Sequence, residues 1–257
     1  MNLKKIFLVL IGLISINSWS QIAEKDIVKT QNGTIEIQPI LHSSIILTYN
    51  SKTIYIDPYG GANLYKNQPS PDIILITDIH GDHLDLKTLE TIDTSKTLFI
   101  VPLEVSMQLP EKYLNKTTIL NNGQGIHRLD FFIQAVAMYN LPETITSRHP
   151  KGRGNGYILN IDNKRIYISG DTEDIFEMRT LQNIDIAFVC MNLPYTMDIN
   201  QAADAVLEFQ PKIVYPFHYR GKNGFSDVAK FKELVNLKNV EIDVRLRKWY
   251  PEKQINE

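Results

Sequence analysis

The sequence predicts an α/β fold in which buried strands alternate with turns and helices. Residues 72–76 are a run of branched apolar side chains, which is typical of a strand buried on both faces. After a polar loop, residues 84–92 have apolar positions at helical spacing, and residues 98–102 form another short apolar run. A strand, a loop, a helix and a strand in that order make an α/β unit.

Short strands joined by turns precede this unit. We expect strands over residues 34–40, 43–49 and 53–56. The turn at residues 50–52 separates two apolar runs at hairpin distance, so antiparallel pairing is favoured. The strand 53–56 ends on Asp57-Pro58, which closes the first part of the sheet.

The second half of the chain continues the alternation. Its apolar patterns predict strands over residues 131–139, 157–161, 165–172, 184–191, 211–220 and 240–246. They also predict helices over residues 174–181, 200–209 and 226–235, with Asp198 or Asn200 as the cap of the second of these helices. No linker, repeat or low-complexity tract is visible, so we expect residues 21–257 to form a single domain.

Composition limits the classes of partner. The chain has 257 residues, 43% of them hydrophobic and 22% charged, which is ordinary for a globular protein with a substantial core. The formal net charge is −2, and no block of like charge is present. Binding to nucleic acid is therefore not indicated, and a small-molecule partner is expected.

Residues 1–20 have the pattern of a secretory signal peptide. Lys4 and Lys5 precede an apolar run, and small residues at Ser18 and Ser20 favour cleavage before Gln21. The run is too short to span a bilayer comfortably, and the alternative is an uncleaved anchor. We expect an exported protein, periplasmic or extracellular, without stable membrane association after cleavage.

The single cysteine predicts no disulfide within the chain. Cys190 lies in an apolar run, residues 186–191, that has the pattern of a strand. A buried, inert thiol is the favoured interpretation over a ligand or nucleophile.

The polar stretch after the strand 72–76 has the residue types of a metal site. It reads Asp-x-His-x-Asp-His and supplies Asp78, His80, Asp82 and His83. A strand end is rigid, so a turn there can aim these side chains at one place beyond the sheet edge. Imidazole and carboxylate suit zinc, manganese or iron, and no thiol is present here for a cysteine-rich zinc site. The alternative is a solvated polar loop, and the choice depends on distant partners.

Three further segments place ligand-type side chains next to predicted strands. His149 precedes the strand 157–161, in a loop rich in glycine and basic residues. Asp171 lies in Gly-Asp-Thr, where a strand ends, and His218 lies at the polar tip of the strand 211–220. Together with the Asp-x-His-x-Asp-His stretch, these residues predict a shared cation site.

The stretch resembles the His-x-His-x-Asp-His signature of the metallo-β-lactamase superfamily, with Asp78 where the first histidine is usual. The resemblance implies an αββα sandwich of two mixed β-sheets flanked by helices, with a one- or two-metal site used mostly for hydrolysis. Within the superfamily, the chain is most similar to the L-ascorbate 6-phosphate lactonase-like branch. The Asp57-Pro58 turn, the basic loop after His149 and the Gly-Asp-Thr hairpin carry this closer resemblance.

The resemblance also implies a ligand set. The first metal is held by Asp78, His80 and His149; the second is held by Asp82, His83 and His218, and Asp171 bridges them. The cofactor is one or two divalent ions, zinc first, with manganese or iron as alternatives. Asp57 is expected to act as a hydrogen-bonding support. The expected catalytic residues are Asp82, Asp171 and His218.

These ions would generate a metal-activated hydroxide. The predicted activity is therefore that of a metal-dependent hydrolase acting on a small, anionic ester, lactone or phosphoester. Flexible basic loops next to metal sites commonly bind anionic groups. The candidates for binding the substrate are His42, Arg148, Lys151, Arg153, Tyr195 and Arg220.

Asp78 leaves alternatives open. Its carboxylate could ligate directly, which is the favoured interpretation, could bias the site toward manganese or iron, or could leave the first metal weakly bound. If Asp78 does not reach the ion, the site could hold one metal at the second position and still activate water. The alternative function is a catalytically silent metal-binding or sensing protein on the same fold. Cleavage of β-lactams is disfavoured because the usual ligand is missing at position 78.

Overall fold

In a computed structural model that describes residues 23–250, the N-terminal half forms a seven-stranded sheet whose spatial order follows the chain. Its strands are β1 (Asp26–Lys29), β2 (Thr34–Leu41), β3 (Ser44–Tyr49), β4 (Lys52–Ile56), β5 (Ile73–Leu75), β6 (Leu98–Val101) and β7 (Thr117–Ile119). Strands β1 to β4 pair antiparallel, including the expected hairpin of β3 and β4. Strands β4 to β7 pair parallel, so the sheet is mixed.

The second half forms a second mixed sheet of seven strands. In chain order the strands of this half are β8 (Gly125–Arg128), β9 (Phe131–Val136), β10 (Gly156–Ile161), β11 (Lys164–Ile168), β12 (Ile186–Cys190), β13 (Ile213–Phe217), β14 (Arg220–Gly221), β15 (Gly224–Phe225) and β16 (Asp243–Val244). Strands β8 to β11 pair antiparallel, and β11, β12, β13 and β16 pair parallel. Strands β14 and β15 form a separate two-stranded hairpin.

Helices connect the parallel strands. They are α1 (Leu86–Thr91), α2 (Leu103–Ser106), α3 (Glu111–Leu114), α4 (Phe176–Arg179), α5 (Ile199–Phe209) and α6 (Val228–Lys238). Of the two expected caps, Asp198 is the one that starts α5: its side chain accepts from the backbone N–H of Asn200 and Gln201, and the Gln201 side chain accepts from the Asp198 N–H.

The two sheets share one hydrophobic core. Apolar side chains from strands of both sheets belong to a single buried cluster. Tyr157 of β10 also reaches across to the first sheet, where its hydroxyl donates to the carbonyl of Ile76 at 2.9 Å. The predicted α/β fold, a sandwich of two mixed sheets flanked by helices, is therefore confirmed.

Some elements are shorter than expected. The predicted closing strand 240–246 is reduced to β16, although the Arg245 N–H still donates to the Val214 carbonyl, and the Arg245 and Arg247 side chains pair with Asp26 of the first sheet. The predicted helix 174–181 is the single turn α4, where the Arg179 side chain folds back onto the carbonyl and carboxylate of Asp174.

Two expectations about compartment and reactivity have different outcomes. The predicted signal peptide, residues 1–20, lies outside the described residues. Within residues 23–250, no helix combines the length and the apolar character needed to cross a bilayer. Cys190 is a buried free thiol, and burial raises its pKa to about 11, which fits the expected inert role.

Candidate metal centre

Strand ends from both sheets deliver the ligand-type side chains to one place. In the first sheet, the chain leaving β4 supplies Asp57 and the chain leaving β5 supplies residues 78–83. In the second sheet, the chain leaving β11 supplies Asp171 and the chain leaving β13 supplies His218. Because these strands run parallel to their neighbours, the residues that follow them lie at the same edge of each sheet.

We call Asp82, His83 and His218 the second cluster. The Nε2 atoms of His83 and His218 lie 3.3 Å apart. Asp82 Oδ2 lies 3.3 Å from the His218 Nε2, and Asp82 Oδ1 lies 3.9 Å from the His83 Nε2. Both imidazoles are buried, whereas the Asp82 side chain is 34% exposed. The two imidazoles and the carboxylate therefore converge on one point that is open to solvent on the Asp82 side.

We call Asp78, His80 and His149 the first cluster. Asp78 Oδ2 lies 2.5 Å from the His80 Nδ1 and 3.9 Å from the His149 Nε2. The rings of His80 and His149 meet edge to face with their centres 5.1 Å apart. Asp78 and His149 are buried, and the His80 side chain is 23% exposed.

Asp171 lies between the two clusters. Its Oδ2 is 3.3 Å from the His149 Nε2 and 3.4 Å from the His83 Nε2, and its Oδ1 is 3.4 Å from the His218 Nε2. Burial alone would raise the pKa of this carboxyl, but the imidazoles of His218 and His83 hold the pKa well below its usual range. Asp171 is therefore ionised and in contact with both clusters, as a bridging ligand would be.

The arrangement fits divalent ions. Among the described residues, three groups of side chains have ligand atoms within 4.8 Å of one another: Asp78, His80 and His149; His83, Asp171 and His218; and His42, Asp82 and His218. Two nitrogen ligands of a tetrahedral zinc ion, at about 2.0–2.1 Å from the metal, are roughly 3.3–3.4 Å apart. His80 Nδ1, His149 Nε2 and Asp171 Oδ1 are buried and make no hydrogen bond of good geometry, although a carboxylate or imidazole lies 2.5–3.4 Å from each. Buried polar atoms without good hydrogen bonds are costly, and bound cations would give each of them a partner.

His83 is held from behind by a polar cluster. Its Nδ1 lies 2.8 Å from Asp57 Oδ2 and 2.9 Å from the Thr77 hydroxyl. Asp57 also accepts from the backbone N–H and the hydroxyl of Thr77, at 2.7 and 2.6 Å. The Asp57 carboxylate thus favours a proton on Nδ1 and directs Nε2 at the ligand site. This is the supporting role expected for Asp57.

The other imidazoles have different supports. Asn140 Oδ1 accepts from the His149 backbone N–H at 2.8 Å and lies 3.0 Å from the ring Nδ1. The Nδ1 of His218 lies 3.3 Å from the Nδ1 of His42. His42, Asp57 and His218 all have positive φ, between 43° and 53°, a conformation that non-glycine residues adopt at some cost. Strain at three residues of one site indicates that the surrounding structure fixes their side chains.

The pKa values of two buried histidines, His83 and His42, are shifted in opposite directions. Burial would lower the pKa of His83, but Asp171, Asp57 and Asp82 raise the pKa well above its ordinary value. Burial, His218 and Arg220 lower the pKa of His42 to about 3, so this ring is neutral. A ligand imidazole must lose its proton to bind an ion, so a metal at the second cluster competes with a proton on His83.

The predicted substrate residues lie around this centre with different partners. Arg148 is exposed and stacks over the Tyr195 ring at 4.4 Å. Lys151 pairs with Glu177 at 2.9 Å and with Glu143 at 3.4 Å. Arg148 therefore presents its cation to solvent, whereas two carboxylates already contact the Lys151 ammonium.

Two further candidates lie behind the second cluster. The Arg220 Nη2 lies 2.8 Å from the Nε2 of His42, and its guanidinium stands over the Tyr250 ring at 5.4 Å. His42 is buried among the rings of Tyr59, His218 and Tyr250. The structure thus brings His42 and Arg220 to the centre, with His42 behind a ligand imidazole.

Arg153 has a different place from the one expected. The sequence predicts that Arg153 binds the substrate, but the Arg153 guanidinium pairs with Asp78 through two contacts of 3.2 and 3.3 Å.

Sequence reasoning also missed the supporting roles of Thr77 and Asn140. Thr77 directly precedes the motif and could have been found by that position, whereas nothing in the sequence marks Asn140, nine residues before His149.

Comparisons with known proteins agree with this geometry. The β-lactamase superfamily domain matches residues 36–218. A UPF0173 metal-dependent hydrolase of Lysinibacillus sphaericus is 32% identical over 216 residues, which cover 78% of this chain and 92% of the relative.

Solved structures are similar over most of their length. A proposed metal-dependent hydrolase from Parabacteroides distasonis has 41% sequence identity and a TM-score of 0.77, with 89% of this chain and 100% of that chain covered. Igni18, a metallo hydrolase from the archaeon Ignicoccus hospitalis, has 25% identity and a TM-score of 0.69, with 82% and 94% covered.

Proposed function

The chain belongs to the β-lactamase superfamily as a metal-dependent hydrolase, and we propose that it hydrolyses a small, anionic ester, lactone or phosphoester. The observation that carries the proposal is the position of Asp171, whose oxygens lie 3.3–3.4 Å from the histidine nitrogens of both clusters. Two divalent ions sharing one carboxylate are suited to hydrolytic displacement. The narrower likeness to L-ascorbate 6-phosphate lactonases stays a prediction.

The residues would divide the work. A bound divalent ion supplies Lewis acidity and lowers the pKa of a coordinated water towards neutrality. The first cluster and Asp171 would hold one ion, and the second cluster and Asp171 the other, with zinc proposed first. Burial and the charge of Asp171 would raise the pKa of the Asp82 carboxyl, but the imidazoles of His83 and His218 hold the pKa below its usual range, and the side chain is 34% exposed. Asp82 is therefore the group placed to accept a hydrogen bond from the attacking water.

The substrate is proposed to be anionic because of Arg148. Arg148 directly precedes His149 in the chain. Asn140 connects His149 to Tyr195, because the Asn140 Nδ2 donates to the Tyr195 carbonyl and the Asn140 Oδ1 accepts from the His149 backbone N–H. The Tyr195 ring in turn lies under the Arg148 guanidinium. An exposed cation anchored this close to the ligand residues would orient a carboxylate or phosphate group of the substrate.

A metal-binding protein without turnover is the second candidate. The observation in its favour is the contact of Arg153 with both oxygens of Asp78, which places a cation where the first metal's ligand is needed. In this case the second cluster alone would hold an ion.

One experiment separates the two candidates. Purified protein is stripped with EDTA, reloaded with zinc, manganese or iron(II), and assayed against p-nitrophenyl esters, bis-p-nitrophenyl phosphate and lactones, with metal content measured on the same samples. The proposed hydrolase turns over at least one of these substrate classes, loses the activity with EDTA and regains it on reloading. A fully metallated protein inactive on all three classes would support the silent metal-binding protein instead.

We also propose that the protein is exported. The support is the sequence of residues 1–20, a short basic region followed by an apolar run and small residues. Fractionation of cells that make the full chain would place the mature protein, starting at Gln21, outside the cytoplasm. Recovery of the uncut chain in the cytoplasm would contradict the proposal.

A further inference from the structure

Arg153 and Asp78 form a two-point ion pair inside the first cluster. The Arg153 Nε lies 3.3 Å from Asp78 Oδ1, and Nη2 lies 3.2 Å from Oδ2. The carboxylate is fully buried, and the Arg153 side chain is only 18% exposed. Paired contacts of this kind fix the geometry of both groups as well as their charge.

The backbone holds Arg153 in this position. The next residues cross the end of β5: the Asn155 N–H donates to the Thr77 carbonyl at 2.9 Å. Gly154 lies so close to this carbonyl that a Cβ there would be 2.7 Å from its oxygen. Thr77 directly precedes Asp78 in the chain. The ion pair is therefore built into the contact between the basic loop and the strand that carries the ligands.

The same carboxylate faces the first cluster. Asp78 Oδ2, one of the two oxygens that contact Arg153, also lies 2.5 Å from the His80 Nδ1. The same oxygen lies 3.9 Å from the His149 Nε2. An ion bound by these atoms would share Asp78 with the guanidinium. Asp171, by contrast, pairs with the imidazoles of His83, His149 and His218.

We propose that Arg153 is a positioning residue that neutralises Asp78 when the first metal position is empty and opposes the ion that enters, which makes the first position the weaker of the two. A buried carboxylate is costly unless a cation accompanies it, so either the guanidinium or the metal must fill this role. A fixed positive charge close to the ion lowers its affinity by tenfold to a hundredfold, on the order expected for partly buried charges. The inference rests on the metal centre of the proposed function and not on its substrate.

The test compares Arg153→Met with the unchanged chain, with and without metal. Cobalt(II) is titrated into EDTA-treated protein in competition with a chromophoric chelator, and the melting temperature is measured in both states. We expect affinity at the first position to rise about tenfold or more, with the second position unchanged. The melting temperature should fall in the metal-free protein and return to nearly the unaltered value once the metal is bound.

Arg247→Met is the matched control. The Arg247 Nη2 pairs with Asp26 Oδ2 at 2.5 Å, another partly buried arginine–aspartate pair, but Asp26 belongs to β1 and to neither ligand cluster. Its loss should lower the melting temperature equally with and without metal. Arg153→Met could instead lower the melting temperature equally with and without metal, or lower the metal affinity at the first position. Either result would mean that Arg153 only braces the loop or aims Asp78, and would overturn the proposal.

A double-mutant cycle in the metal-free protein tests the pairing directly. If Arg153 neutralises Asp78, then Arg153→Met should lower the melting temperature in the natural background and have little effect when Asp78 is already Asn. An undiminished effect in the Asp78→Asn background would contradict the inference. The outcomes also separate the two proposals: a natural chain that binds no cobalt would overturn the metal-dependent function, whereas bound cobalt with no change in Arg153→Met overturns only this inference.

Discussion

The two ligand clusters differ in how firmly one imidazole of each, His83 and His80, is held. In the second cluster, His83 is fully buried and its Nδ1 is fixed by Asp57 and Thr77 at 2.8 and 2.9 Å. In the first cluster, His80 is 23% exposed and its nearest polar neighbour, Asp78, is shared with Arg153. Ligands held by a second layer of hydrogen bonds lose little freedom on binding a metal. His83 of the second cluster is therefore fixed before a metal binds, whereas His80 of the first cluster is not. We expect the second position to fill first.

The largest effect should come from Asp171, which contacts both clusters. Asp171→Ala should remove the shared ligand and reduce metal content at both positions, while His80→Ala should empty the first position alone. Without the metals the enzyme should lose several kcal/mol of transition-state stabilisation. The kcat of Asp171→Ala should therefore fall by roughly a thousandfold or more. Elemental analysis and steady-state kinetics of both variants measure the difference.

Circular dichroism provides the control for this pair. Both variants should keep the fold, because the sandwich core is built from apolar residues of the two sheets. If Asp171→Ala kept the metal content of the unaltered protein, the bridging role would be refuted. If His80→Ala emptied both positions, the clusters would be interdependent and the comparison between them would fail.

A smaller effect is expected at the support of His83. Asp57→Asn keeps the shape but loses the charge that favours a proton on the His83 Nδ1. Loss of such a supporting group typically lowers metal affinity by about 10- to 100-fold. Asn140→Ala, which removes the contact to His149 in the first cluster, is the matched variant. Competition titration should show the Asp57 variant weakened at the second position and the Asn140 variant at the first; the reverse assignment would refute the division of ligands.

The sequence predicts where the ligand residues lie but not how firmly each of them is held. Alternating apolar runs predict the strands because the pattern reflects burial, and polar residues at their ends predict the place of the site. The structure brings residues 78–83, which follow β5 of the first sheet, together with Asp171, which follows β11 of the second sheet, because these strand ends meet where the two sheets pack. The family resemblance supplied the pairing of distant ligands, which spacing alone does not determine.

The partner of Arg153 could not be predicted from the sequence. A glycine-rich basic loop predicts mobile cations for a substrate, yet this guanidinium is held against Asp78 by a contact between segments 75 residues apart in the chain. Such a contact depends on how the two sheets meet, and no local pattern encodes it.

Metal binding at the second cluster should weaken as the pH falls. In the metal-free protein, Asp171, Asp57 and Asp82 raise the pKa of His83 well above 6.5 despite its burial. The proton on His83 therefore stabilises the folded, metal-free protein fully below pH 6.5, and this stabilisation is lost as the pH rises through the higher folded pKa. A metal must displace this proton, so the affinity falls as the pH falls, by up to about tenfold per unit.

The measurement is the rise in melting temperature on adding zinc, followed from pH 6 to 9. The rise should grow with pH over this range until it passes the folded pKa of His83. The matched control is His127→Gln, because His127 lies on β8 against Phe132 and belongs to neither cluster. The control should follow the same curve as the natural chain, and a stabilisation by zinc that does not change with pH would contradict the assignment of His83 as a ligand.

The smallest effect is expected at Arg148, outside both clusters. An exposed guanidinium stacked on the Tyr195 ring contributes roughly 0.5–1 kcal/mol to binding an anionic group, or about a two- to fivefold change in affinity. Arg148→Met should therefore raise KM for an anionic ester by that factor, leave kcat unchanged and leave KM for a neutral ester unaffected. Arg128→Met, on β8, is the control for removing an arginine elsewhere. An equal rise in KM for neutral and anionic esters would mean that Arg148 shapes the loop rather than attracting charge.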